Sequence, residues 1–507
     1  MTTRPRLTAD QLATARGSAA GGRSQAFALP GYDRSAVTAG IVHIGVGNFH
    51  RVHEAVYVDR CLHLPGQEQW GVHGIGLVAA AASAAKAADL AEQDHLYSVT
   101  EFAPDGSHSS RVIGALVGYS HAPADPQAAQ DRLAAPSTRI VSLTIGESTY
   151  NLAEGSGEFD LGLPAVAADL RERDRLPRTV FGVLVAALAR RRAEGTAPFT
   201  MISCDNLRGN GDTTRRAVLG YARAVDPGLA HWIEDEVSFP NGMVDRIAPQ
   251  VDAARREELN AITGLDDRLA VLGEDHLQWV LEDRFPAGRP RWEEVGVTFS
   301  DEVARYEAVK GRMLNASHVL MSHLAVLMGH RYVHDALADP RVYRLLRTFI
   351  DVDVLPLITG PAGVSLTDYR DRILSRFANP AVRDQLLRIA SDGAAKIPVF
   401  HTVTVRTQVE QGLDLRREAL LLLGFRRYLR GVDDRGVAFD VHEPLVSQQD
   451  LDACRGSDPR AVLRLPSFSA LGLEQVPSFV EVFDELAVVM ERDGVAAAVE
   501  QACSPRG

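Results

Sequence analysis

The chain has 507 residues, 46% hydrophobic and 24% charged, with a formal net charge of -12. That length exceeds one ordinary core and predicts two large domains, while the acidic balance argues against nucleic acid and anionic membranes as main partners. Four scattered cysteines (Cys61, Cys204, Cys454, Cys503) form no CxxC pair, which argues against a disulfide framework or a structural zinc site. No apolar run is long enough for a membrane span, and the polar N-terminus lacks a signal-peptide core, so a cytoplasmic protein is expected.

Residues 1–38 are rich in Ala, Gly and Ser and are expected to form an arm wrapped on the first domain. From Ile41 the pattern becomes α/β, with short apolar runs that end in Gly, Asp or Asn and lead into helical stretches. Strands are predicted at 41–44, 71–77, 139–144 and 199–204, with helices over 54–62 and 79–88. Beyond about residue 300 helical periodicity dominates, over 303–328, 342–350, 415–429 and 478–488. The predicted architecture is an α/β Rossmann-type dinucleotide-binding domain over 1–295 followed by a mainly α-helical substrate-binding and catalytic domain over 296–507.

The first strand runs into Gly45-Val-Gly47-Asn48-Phe49-His50-Arg51. A strand followed by G-x-G can bring backbone N–H groups and a helix start to a pyrophosphate. His50 stands where the third glycine of the usual fingerprint would be, so the bare pattern is also that of a plain tight turn. The candidate cofactor-binding residues are Gly45, Gly47, Asn48, Phe49 and Arg51. NAD preference usually shows as an acid at the end of the second strand. Here that strand ends Gly76-Leu77-Val78 and continues into Ala79–Ala82, leaving the choice between NAD and NADP open.

The second motif is Lys310-x4-Asn315-x2-His318. Oxidising a secondary alcohol needs a base for the hydroxyl proton and donors for the developing alkoxide. A lysine serves as base when desolvation or neighbouring positive charge favours its neutral form. Asn315 is a candidate oxyanion donor, and His318 lies one helical turn on. Lys310 lies about 140° from Asn315 on an ideal α-helix. The spacing therefore predicts either a long reach by its stem or a helix that starts after Gly311. No cluster with metal-ligand spacing accompanies the motif, so no metal is expected. Tyr306-x3-Lys310 also matches the pair of short-chain dehydrogenases, but it falls far too late after the glycine turn for that fold.

Many long motifs in the same order carry a resemblance. They are Tyr32-Asp-Arg-Ser, Gly40-Ile-Val-His-Ile-Gly-Val-Gly-Asn-Phe-His-Arg51, Ser203-Cys-Asp-Asn206 and Asn210-Gly-Asp. Ser238-Phe-Pro-Asn-Gly-Met-Val-Asp245-Arg and Gln278-Trp-Val-Leu-Glu-Asp follow, then the lysine motif, Arg376-Phe-Ala-Asn-Pro, and Arg388-Ile-Ala-x-Asp-Gly-x-x-Lys396-Ile-Pro. Over nearly its whole length the chain resembles the long-chain, metal-independent polyol dehydrogenases of the mannitol 2-dehydrogenase family. The resemblance implies an NAD(P)-dependent oxidoreductase interconverting a polyol and a ketose, D-mannitol and D-fructose first among them. It implies Lys310 as base, Asn206 and Asn315 as oxyanion donors, and His318 on a substrate hydroxyl. Asp245, Arg388 and Lys396 would line the polyol pocket, and Glu307 would relay the proton to solvent. Thr144-Ile-Gly-Glu147-Ser-Thr-Tyr150 keeps Glu147 and Tyr150 of the family's fourth-strand segment while the glycines change, which places Glu147 on the cofactor side. The family also contains fructuronate- and tagaturonate-type reductases and arabinitol dehydrogenases. A non-catalytic nucleotide-binding regulator is the alternative from another class. Expected partners are a small polyol or ketose, with the protein a monomer or small homo-oligomer.

Overall fold

The structure is a computed structural model describing residues 4–11, 27–153 and 157–504. The chain divides at Ala304/Arg305 into two compact units. No helix among the described residues is long and apolar enough to cross a membrane.

The first unit is built on a five-stranded parallel sheet: β1 (Ala39–Ile44), β2 (Gly71–Gly76), β3 (Leu116–His121), β4 (Ile140–Leu143) and β5 (Thr200–Ser203). Their order across the sheet is β3-β2-β1-β4-β5, with every neighbouring pair parallel. This is the order of the first five strands of a Rossmann fold, whose switch point lies between β1 and β4. Every residue of β1 is buried, as a central parallel strand covered on both faces requires. Val42 and Ile44 face one core with Phe181, Leu184 and Val218, while Ile41 faces the other with Val56, Trp279 and Trp292. The helix α1 (Asn48–Val52) follows β1, then α2 (Glu54–Leu62). On the first of those cores lie α3 (Val180–Ala193) and α4 (Asn210–Val225). Two small three-stranded sheets complete the unit, one of strands 97–102, 108–113 and 271–274 and the other of 242–245, 278–281 and 298–299.

The four predicted strands are present within a residue or two, and so is the predicted helix 54–62. The strands at 97–102, 108–113 and 116–121 are additions to the sequence reading, as are the four beyond 240. Among them His108–Ile113 is a polar, half-exposed run that lacks an apolar signature. Of the arm 1–38, residues 1–3 and 12–26 lie outside the described residues. Leu7 is fully buried against Leu96, Val112 and Leu265.

The second unit is helical. Its labelled elements are α5 (Val303–Val309, which straddles the division), α6 (Ala316–Leu327), α7 (Leu366–Phe377), α8 (Leu386–Ala390), α9 (Gly393–Gln411) and α10 (Arg416–Tyr428). Eleven of the twelve residues of α6 are buried, so it is enclosed on nearly all sides and forms the centre against which α8, α9 and α10 pack. Between α5 and α6 the chain does not break. Residues Lys310–Asn315 form a π-helix continuous with both.

Candidate active site

In the first unit the switch point is occupied by the glycine turn. Gly45 has φ 98°, and a Cβ there would stand 2.1 Å from the Thr144 carbonyl oxygen at the end of β4. Glycine is therefore required by the fold itself. Gly47 is different: its backbone is extended, and an added Cβ would meet only the Gly45 oxygen at 3.6 Å. No steric demand of the fold explains glycine there, whereas the close approach of a ligand to the backbone would.

The side chains after the turn are mostly committed to holding it. Asn48 Nδ2 donates to the Pro249 carbonyl at 3.2 Å, and its Oδ1 accepts from Arg51 at 2.8 Å. Arg51 is buried, also donates to the Gly47 and Leu269 carbonyls, and lies 5.5 Å from the centre of the Tyr97 ring. Phe49 stacks on His53 at 4.9 Å. Lys86, on the helix Ala81–Glu92, donates from Nζ to the Val46 carbonyl at 2.7 Å and brings a cation to the turn. Partial burial, with Arg51 nearby, lowers it from the ordinary lysine value. The segment 76–83 contains no carboxylate.

Behind the turn, His43, His50 and Glu54 form a buried group of metal-ligand residue types. His43 Nδ1 lies 3.0 Å from Glu54 Oε2 and 2.8 Å from Ser142 Oγ, and its Nε2 lies 2.9 Å from Thr144 Oγ1. The His43 and His50 rings stack at 3.6 Å with only 18° between their planes. Stacked rings direct their in-plane lone pairs side by side, whereas a tetrahedral ion needs them to converge. Burial, with His43 and Arg51 adjacent, holds His50 well below its ordinary value and therefore neutral.

At the end of β4, Gly146 (φ 82°) turns the chain into a short helix Glu147–Tyr150, whose first residue, Glu147, is exposed. Asp205, just past β5, holds this segment. Its carboxylate accepts from the N–H groups of Ile145 (3.1 Å) and Gly146 (2.9 Å) and from Tyr150 Oη (2.8 Å). Burial outweighs these bonds and raises Asp205 above the ordinary carboxylate range. Asn206, the next residue, is exposed at the same edge of the sheet. Asn210 ties β5 to the strand 242–245 by donating to the Ser203 carbonyl (2.8 Å) and accepting from Gly242 N–H (2.9 Å). Asp245 ends that strand, 2% exposed, with His276 Nε2 at 3.4 Å. Asp205 and Asn210 stand inside motifs that the sequence displays, but their task of tying strand ends together depends on long-range pairing that a sequence does not display.

In the second unit, the expectation of a stretched lysine or a helix start after Gly311 is corrected. The chain widens instead: a π-helix closes i→i+5 bonds, here from Ala316 N–H to the Gly311 carbonyl, which brings residues five apart to one face. Lys310 is buried and Asn315 half-buried within this turn. His318 follows on α6, its ring stacked on Phe377 of α7 at 3.9 Å and 16°. Glu307 is half-buried, one turn before Lys310 on α5.

Arg388 and Lys396 are placed differently from one another. Arg388 is exposed, and its guanidinium forms a pair with Asp384 at 2.6 Å within this unit. Lys396 Nζ donates to the carbonyls of Ile389 (3.1 Å) and Ser391 (2.6 Å), while His323 Nε2 takes the intervening Ala390 carbonyl at 3.1 Å. Three successive carbonyls are thus held by two side chains. Glu443 caps the start of α9 by accepting from Gly393 and Ala394 N–H at 2.7 and 3.0 Å. Burial pushes its carboxyl up to about 7 despite those bonds.

These features have close counterparts. The profile of the mannitol dehydrogenase Rossmann domain matches residues 39–294, and that of the mannitol dehydrogenase C-terminal domain matches 302–488. The chain belongs to the mannitol dehydrogenase family. A polyol:NADP oxidoreductase of Gluconobacter oxydans is 46% identical over 93% of this chain and 96% of its own length. Among solved structures, the Pseudomonas fluorescens mannitol 2-dehydrogenase in ternary complex with NAD and D-mannitol superposes with a TM-score of 0.88. It is 37% identical, over 98% of this chain and 99% of its own. A substrate-free D-sorbitol dehydrogenase superposes at 0.85 and is 44% identical, over 94% and 98% of the two chains. Membership of this family makes the protein a dehydrogenase.

Proposed function

We propose that the protein interconverts a hexitol and D-fructose, D-mannitol being the first expected polyol, with a nicotinamide dinucleotide as redox partner. The observation that carries this reading is the π turn, which brings an amine and an amide five residues apart to one face of a helix in a mannitol dehydrogenase family chain. Lys310 takes the proton of the reacting hydroxyl, and Asn315 and Asn206 donate to the oxygen as it becomes an alkoxide. His318, its ring fixed by Phe377, binds a neighbouring substrate hydroxyl, and Glu307 passes the proton from Lys310 towards solvent. Asp245, Arg388 and Lys396 recognise the rest of the polyol.

A nicotinamide cofactor, when bound, accepts the hydride from the carbinol carbon. Gly45, Gly47 and the turn through Asn48, Phe49 and Arg51 form its cradle, and Glu147 stands on its nicotinamide side. The open backbone at Gly47 fits a pyrophosphate. The carboxylate-free end of β2 and the Lys86 ammonium favour tolerance of NADP beside NAD. The NADP named for the Gluconobacter relative supports the same tolerance.

D-sorbitol is a second reading of the polyol, favoured by the 44% identical sorbitol dehydrogenase. Mannitol and sorbitol differ only at C2, the carbon oxidised, so both give fructose. The test is oxidation of NADH and NADPH with D-fructose, D-fructuronate and D-xylulose in parallel, followed by identification of the hexitol formed. Turnover of fructose supports the reading. Turnover of fructuronate alone would move the activity to uronate reduction on the same lysine chemistry, and turnover of xylulose alone would point to D-arabinitol.

A further inference from the structure

A π turn is a rare and poorly bonded form of the helix, so something outside the helix must hold it. The supports come from α9. Thr404 Oγ1 accepts from Arg312 Nε at 3.1 Å, and one turn earlier His401 Nε2 meets the carbonyl of Ala316 at 3.1 Å. Ala316 is the residue whose N–H closes the turn onto Gly311, so its peptide unit marks the junction between π-helix and α6. The other ring nitrogen of His401 lies 3.1 and 3.0 Å from the two carboxylate oxygens of Glu418 on α10. Both side chains are 2% exposed.

The Ala316 carbonyl accepts only, so Nε2 donates to it, while Nδ1 shares a hydrogen bond with the Glu418 carboxyl. A buried pair of this kind adds little net stability over apolar residues of equal volume. What it supplies is direction: the carboxylate fixes the ring, and the ring fixes one carbonyl. We propose that His401 and Glu418 are a buried positioning pair that holds the Ala316 carbonyl. They thereby keep the π turn in the register that puts Lys310 and Asn315 on one face. The inference rests on the reading of Lys310 and Asn315 as base and oxyanion donor.

The test uses the full-length protein and the double variant H401F/E418L, which removes both polar groups together and leaves no unpaired buried charge. Amide hydrogen exchange over 310–316, the kcat with D-fructose and the NADH affinity by fluorescence are measured side by side. Faster exchange across 310–316, a kcat lowered by about a hundredfold, as an ångström of misplacement costs, and an unchanged NADH affinity are expected. E418Q, whose amide can donate to Nδ1 and leave the Nε2 proton on the carbonyl, restores most of the turnover. Unchanged exchange over 310–316 overturns the positioning pair whatever the turnover does. Faster exchange with full turnover instead overturns the catalytic reading of Lys310 and Asn315. If the double variant does not fold, H401Q is measured by the same exchange criterion.

Discussion

Lys310 is buried within the π turn that also carries Asn315, and single substitutions separate its proposed chemistry from packing. His318→Phe retains the stacking surface on Phe377 but loses both ring nitrogens. It should raise the KM for fructose by about tenfold or more, the loss expected from one hydrogen bond to a substrate hydroxyl, with a smaller change in kcat. Glu443 makes a prediction with a definite sign. Its folded value of about 7 lies above the ordinary glutamate value of about 4.3, so the folded state binds the extra proton between those limits. Stability from this group is therefore fully present below about pH 4 and lost as the pH rises through about 7. Glu443→Gln should flatten the fall in melting temperature of the wild-type protein across that window. Parallel curves for the two proteins would remove Glu443 as the cause.

At the scale of elements, the two glycines of the turn should part company. Gly45→Ala forces a side chain into a backbone at φ 98° and against the Thr144 carbonyl, costing about 1–3 kcal/mol from conformation alone. Gly47→Ala meets no such obstacle, so its melting temperature should stay near wild type while NADH binding weakens. Melting curves and NADH fluorescence titrations of both variants check the contrast. The same elements show what is readable in advance. Strands β1, β2, β4 and β5 announce themselves as short apolar runs closed by turn residues, and the glycine turn follows from them. The π turn does not, because the period of 3.6 that makes a helix legible also hides a local widening. Ideal helical spacing sets Lys310 and Asn315 on opposing sides, and only the i→i+5 bond from Ala316 to Gly311 resolves that conflict. Arg312, His401 and Glu418 stay silent for a related reason. Each acts through a partner on another element, and such partners become visible only when the chain is folded.

For the whole molecule, placing the proposed cofactor cradle and the proposed base in different compact units predicts that cofactor binding and proton transfer can be impaired independently. A ligand that binds only the folded state stabilises it by about 2.7 kcal/mol at a hundred times its Kd. NADH at that excess should raise the melting temperature of wild type and of Lys310→Ala equally, and of Gly47→Ala much less. Differential scanning fluorimetry with and without NADH would check this ordering, and it would fail if Lys310→Ala lost the shift.

The most direct test of the central claim is the steady-state reduction of D-fructose by Lys310→Ala, measured beside its NADH affinity. The account predicts a fall in kcat/KM of about 10²–10⁴-fold, the usual contribution of a positioned acid–base group, with the NADH Kd unchanged. Turnover at the wild-type rate with intact NADH binding would contradict it.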